Sequence, residues 1–166
     1  MSLKVILIRH GKAESASEGV DDLHRQLTRE GALALEHALP RAFALLDLPE
    51  RTECWCSSAV RARQTADIVT RACGSVIRTT SGILYDQNVD ELMRSFSETD
   101  AECVICVGHV PSLEHVCERL CGVSLDFQPG AICAIDIFED AQRHISHAMR
   151  PAGRLALFVQ GPVVEG

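Results

Sequence analysis

The chain has 166 residues, of which 46% are hydrophobic and 23% charged, and its formal net charge is −7. That length can bury one core, so residues 1–166 are expected to form a single domain. The negative balance argues against a surface built for nucleic acid or anionic membrane, and an anionic substrate would have to meet a local cluster of cations.

No stretch reaches the length of a membrane span, and no signal peptide precedes the first apolar run. The eight cysteines sit inside apolar or helical patterns. They read as reduced, packed thiols in a cytoplasmic protein. Ser2-Leu3 and Glu165-Gly166 resemble cloning remnants.

Val5-Ile6-Leu7-Ile8 is a continuous apolar run that predicts a buried strand over residues 4–8, and Arg9-His10-Gly11 follows it directly. Thr28 opens a helix whose apolar residues recur at helical spacing to about residue 46. A short strand is expected over 53–56, a helix over 59–73 and an edge strand over 75–78. Helices over 90–96 and 112–121 flank an apolar strand at 102–107, with Gly122 stopping the second helix. Residues 131–138 and 154–159 predict two antiparallel strands joined through a loop around Pro151.

Strand–helix alternation over the first 121 residues implies an α/β fold of three layers, a mainly parallel sheet with helices on both faces. Ligands of such sheets bind beyond the carboxyl ends of the strands. That rule selects Arg9, His10 and Gly11 after the first strand, Ser57, Ser58 and Arg61 after the second, and Gly108, His109 and Pro111 after the third. Two arginines and two histidines at one sheet edge suit phosphate, since guanidinium forks match its oxygens and helix starts add backbone donors. Neighbouring cations bias an imidazole toward its neutral, nucleophilic form. Phosphoryl transfer needs such a nucleophile in line and charge stabilisation around it, but strand order does not say which histidine attacks.

Arg9-His10-Gly11 after a strand resembles the signature of the histidine phosphatase (phosphoglycerate mutase-like) superfamily. Ser57-Ser58-Ala59-Val60-Arg61-Ala62-Arg63-Gln64-Thr65-Ala66 is similar to its S-P-x-x-R-A-x-Q-T-A block, and Val107-Gly108-His109-Val110-Pro111 to its third block. The short length and Asp22-x-x-Arg25-Gln26-Leu27-Thr28-x-x-Gly31 resemble the SixA-like phosphohistidine phosphatase branch. The resemblance implies that His10 is the nucleophile and carries the phosphoryl group. It implies that Arg9 and Arg61 hold the phosphate with Gly11 and Ser57 beside it, that a protonated His109 contacts it, and that water releases it. It implies no metal and no cofactor. The expected partner is a phosphorylated substrate, such as a phosphohistidine-bearing protein. A small-molecule phosphomonoesterase and a phosphate-binding module without turnover stand as alternatives, and the oligomeric state is open.

Three positions depart from the pattern. Ser58 and Gln26 stand where proline is usual, and Leu84-Tyr85-Asp86 is the nearest match to an L-x-E stretch that carries a general acid, which makes Asp86 the candidate. A phosphoramidate leaves more easily than an alkoxide, so a weak acid favours phosphohistidine or an easy ester. A cysteine-dependent phosphatase is set aside on spacing, because no cysteine has an arginine six positions on. Cys103 and Cys106, three apart in a strand, are expected on opposite faces. His144 and His147 are expected not to pair if their segment is extended, on the same strand argument. Asp22 and His24 are read as surface loop.

Overall fold

The computed structural model describes residues 2–17, 19–74 and 76–164. Its centre is a six-stranded sheet built from β1 (Lys4–Arg9), β2 (Thr52–Ser57), β3 (Ile77–Ser81), β4 (Cys103–Gly108), β5 (Ile132–Ile137) and β6 (Gly153–Val159). The order is β3-β2-β4-β1-β5-β6. The first four strands are mutually parallel, and β5 and β6 are added antiparallel at one side. The sequence therefore reads correctly as a mainly parallel α/β sheet.

The central strands are apolar throughout because both of their faces are covered. Ile6, Ile8, Ile105 and Val107 point into one core with α1 (Arg29–Phe43) and α2 (Val60–Cys73). Val5, Leu7, Val104 and Cys106 point into the other. That second core holds α4 (Val89–Glu98) and α5 (Ser112–Cys121), while a single helical turn, α3 (Gly82–Tyr85), leads from β3 toward α4. Cys103 and Cys106 accordingly fall in different cores, and all eight thiols are free. No helix among the described residues is long and apolar enough to cross a membrane.

Thr28 caps α1, its hydroxyl accepting from the Gly31 N–H at 2.9 Å. The helix closes at Phe43, three residues before its expected end. There the amides of Leu45 and Leu46 reach back only three residues, to Ala42 and Phe43, and the tightened turn leaves Leu45 exposed. Gly122 ends α5 in the left-handed conformation with φ 76°, which a side chain would resist. The edge strand lies at Ile77–Ser81 rather than 75–78, in register with β2 from Glu53 to Ser57, and Ser75 lies outside the described residues, as do Glu165 and Gly166.

The connection from β5 to β6 is not a plain loop. Gln142–His147 forms a 3-10 turn anchored by Gln142, whose side-chain amide donates to the carbonyls of Phe96 and Thr99 at 3.0 and 2.9 Å. His144 and His147 are thus helical neighbours, and the strand argument about them is corrected. Among the described residues no group of three or more His, Cys, Asp and Glu is placed to hold a metal ion.

The strand register sets up the site. Arg9 pairs with Gly108, and the His10 N–H donates to the Gly108 carbonyl at 3.0 Å, so His10 and His109 leave adjacent strand ends together. Gly31 brings the first turn of α1 against the segment that follows. A Cβ at Gly31 would overlap the Lys12 carbonyl oxygen, a backbone atom that cannot step aside. Gly31→Ala is therefore expected to destabilise the protein by about 1–3 kcal/mol, read as a lower urea midpoint, and an unchanged midpoint would refute the close approach.

Candidate active site

His10 is buried at 9% exposure, and its Nδ1 lies 2.7 Å from the Gly11 carbonyl oxygen. A carbonyl only accepts, so Nδ1 carries the proton and Nε2 keeps its lone pair. Arg61 Nε donates toward that Nε2 at 3.3 Å. The ring is held neutral. Burial pushes its pKa down to about 3, and His109, Arg61 and Arg9 add to the effect against the Gly11 hydrogen bond.

His109 has the opposite tautomer. Arg61 Nη2 stands 3.4 Å from its Nδ1 and can only donate, so Nδ1 is bare. Nε2 then donates to the Ser57 hydroxyl at 2.7 Å. The two imidazole centroids are 5.2 Å apart. Burial and the Arg61 charge hold the His109 pKa at about 4, so the protein alone does not supply the protonated His109 expected from the sequence. A phosphoryl dianion beside it would bring the opposite charge that favours protonation.

Arg61, on the first turn of α2 and 4% exposed, ties the site together. Besides the two histidines it donates to the Asp22 carbonyl at 2.7 Å and to Asp22 Oδ2 at 3.1 Å. Its own carbonyl accepts from the Thr65 hydroxyl, which in turn accepts from the Gly11 N–H, so the His10 loop is sewn to α2. Arg9 donates one Nη to the Phe127 carbonyl at 2.8 Å, while its buried Nε has no hydrogen-bond partner among the described residues. A donor left open in a cationic cleft suits a phosphoryl oxygen.

These groups line a cleft of about 430 Å³. Arg9, His10, Arg61 and His109, all selected from the sequence, meet there. Gly11 and Ser57 do not line it; they stand behind the histidines and fix their tautomers. Asp86 does not line it either. It is exposed at the carboxyl end of α3, and its neighbours Tyr85 and Gln87 face the cleft instead. Asp22 and Arg25, on a 3-10 turn and its cap, also form the rim, so Asp22 is more than the surface loop its sequence suggests. Their signal was the Asp22-x-x-Arg25 spacing: Arg25 Nε and Nη2 both donate to Asp22 Oδ1, at 3.1 and 2.7 Å. With Arg61 on its other oxygen, the Asp22 carboxyl is held down to about 2. Asp22 is thus an acceptor at neutral pH and has no proton to give.

The two depressed histidines make stability depend on pH. Below about 6.5 an unfolded histidine takes up a proton, while His10 and His109 in the fold do so only near 3 and 4. The unfolded state then binds more protons, so the folded state loses stability as pH falls from about 6.5, by at most about 1.4 kcal/mol per pH unit for each ring. Urea titrations at pH 7 and 5 should show this loss, and His109→Asn should reduce it. Equal slopes in wild type and variant would contradict the burial of a neutral ring.

Residues 5–84 match the model of the histidine phosphatase superfamily (branch 1), a span that includes Arg9, His10 and Arg61 and stops before His109. No curated protein sequence matches the chain. Its fold is shared with a provisionally named phosphohistidine phosphatase SixA from Nakamurella multipartitia, at 25% identity and TM-score 0.78, covering 99% of this chain and 98% of that one. A similarly named protein from Agrobacterium tumefaciens matches at 23% identity and TM-score 0.78, over 96% of this chain and 98% of its own. A protein histidine phosphatase SixA complexed with tungstate matches at 17% identity and TM-score 0.74, over 96% and 97% of the two chains.

Proposed function

We propose that this chain is a member of the histidine phosphatase superfamily and hydrolyses phosphohistidine through a covalent phosphoryl intermediate on His10. The observation that carries the reading is the bare Nε2 of His10, fixed by the Gly11 carbonyl and set beside Arg61 in a cleft of cations.

The Nε2 lone pair attacks phosphorus in line. The bond from phosphorus to the leaving atom breaks, and its electron pair departs with that atom. Arg9 and Arg61 donate to the equatorial oxygens, where charge is spread in the transition state. His109, protonated by the dianion's arrival, adds a third donor. Water then attacks the phosphoryl group on His10, releasing phosphate and restoring the neutral ring. The arginines supply the charge stabilisation that a metal would otherwise give.

The leaving group decides the substrate class. Among the described residues lining the cleft, Asp22 is the one carboxylate, and its depressed pKa unfits it as an acid. An alkoxide would leave unprotonated and slowly. A phosphoimidazolium, protonated on the far ring nitrogen by solvent before it reacts, needs no further proton and leaves as a neutral ring. The names of the three SixA structures point the same way.

The test compares turnover of a phosphohistidine-bearing domain with that of alkyl and aryl phosphomonoesters, in buffer containing a metal chelator. The expected kcat/KM on phosphohistidine exceeds that on alkyl phosphates by about 10²-fold or more, the low end of what general acid catalysis contributes. Alkyl phosphates hydrolysed equally fast would make the protein a phosphomonoesterase. Phosphate binding without any turnover would make it a binding module.

A further inference from the structure

In-line transfer to His10 places the leaving atom on the far side of phosphorus, toward the mouth of the cleft, because His10 is buried at its floor. The polar groups at that mouth are Asp22, Arg25, Tyr85 and Gln87. Three of them are already engaged with the protein. Arg25 donates to Asp22 through Nε and Nη2, and to the Glu14 carbonyl through Nη1. The Tyr85 hydroxyl donates to Asp22 Oδ2, at 3.3 Å. Asp22 thereby accepts from Arg25, Arg61 and Tyr85 on its two oxygens.

Gln87 differs. Its backbone sits at φ 54°, a left-handed conformation that a non-glycine residue seldom adopts. Its side-chain Oε1 accepts from the Ser112 N–H at the start of α5, at 3.1 Å. That bond fixes which end of the amide is which. The oxygen is committed, and the NH₂ has no hydrogen-bond partner among the described residues while the side chain borders the cleft.

We infer that Gln87 is the specificity-determining residue for the leaving group: its amide N–H donates to the departing atom and, having no proton to surrender, restricts rapid turnover to leaving groups that need none. The inference rests on the phosphatase reading above. As the P–N bond of a phosphoimidazolium breaks, the electron pair stays on the ring nitrogen, the far nitrogen keeps its hydrogen, and Gln87 keeps both of its own. An alkoxide carrying full negative charge receives only a hydrogen bond from the same group.

The experiment reads one ratio, kcat/KM for an alkyl phosphate over kcat/KM for para-nitrophenyl phosphate, whose phenolate leaves without a proton. Added charge near the phosphate affects both substrates alike and cancels. Gln87→Glu keeps an acceptor for the Ser112 N–H and adds an acid, so the ratio is expected to rise at least tenfold, with a new loss of alkyl turnover on the basic side. Gln87→Met removes the donor without adding an acid, and the ratio is expected to fall several-fold. Asp86→Asn, exposed one residue away, is expected to leave it unchanged. A ratio that stays at the wild-type value in both Gln87 variants, or that moves as far in Asp86→Asn, overturns the inference. Wild-type protein inactive on para-nitrophenyl phosphate and on phosphohistidine would instead defeat the phosphatase reading itself, and this one with it.

Discussion

His10→Ala is expected to lower turnover of any phosphorylated substrate by on the order of 10⁴-fold or more, as loss of a covalent nucleophile does elsewhere. The acid-labile phosphoenzyme expected of wild type should vanish with it. Several features make this the largest effect in the molecule. Both rings turn an unprotonated nitrogen toward Arg61, His10 Nε2 at 3.3 Å and His109 Nδ1 at 3.4 Å, and His10 is the ring whose other nitrogen is held by a backbone carbonyl that keeps the proton there. The ring is neutral far below physiological pH, so essentially every molecule holds the nucleophile ready. Its hydrogen bond to Gly11 also gives the phosphorylated ring a fixed proton on the other nitrogen. The variant should still fold, because among the described residues the His10 side chain hydrogen-bonds only Gly11 and Arg61 and the strand register does not depend on it. Inorganic phosphate binding by the variant reports that intactness. A variant that binds phosphate and still forms a phosphoenzyme would move the nucleophile to His109.

The floor of the site was legible in the sequence and its rim was not, for a physical reason. Parallel strands all deliver their carboxyl ends to one edge, so Arg9, His10, Arg61 and His109 could be brought together from apolar runs alone. Which imidazole nitrogen carries the proton depends on a backbone carbonyl and a serine hydroxyl that no spacing reveals. The rim comes from segments without strong periodicity. Asp22 lies on a three-residue 3-10 turn, and Tyr85 ends a four-residue helix. At such lengths a shift of one residue decides what faces the cleft. That is why reading from Leu84-Tyr85-Asp86 selected Asp86, while Tyr85 and Gln87 are the residues that line it. The 3-10 turn at Gln142–His147 escaped for a related reason: it is held by one glutamine amide bonding across to α4, a tertiary contact.

Arg61→Ala should reduce turnover by about 10³–10⁵-fold, the range spanned by arginines that stabilise phosphoryl transfer in other enzymes, and should leave a signature in the pH profile. Arg61 contacts both histidines, and its charge lowers both pKa values. Without it the two rings move back toward ordinary histidine behaviour, so the acid-side loss of activity should begin at higher pH than in wild type. Arg61→Lys keeps the charge and should keep the wild-type acid limb. It cannot keep the rate, because one ammonium cannot meet His10, His109, the Asp22 carbonyl and the Asp22 carboxylate from a single planar fork. Stability should change little through the ion pair itself, since Asp22 is half exposed at 53% and retains Arg25. Position and charge are thereby separated: the lysine variant tests position, and the alanine variant tests position and charge together. If Arg61→Lys turned over within about threefold of wild type, far less than the loss expected for removing an arginine from phosphoryl transfer, the fork geometry would have no part in the chemistry. An unmoved acid limb in Arg61→Ala would mean that burial alone keeps His10 neutral.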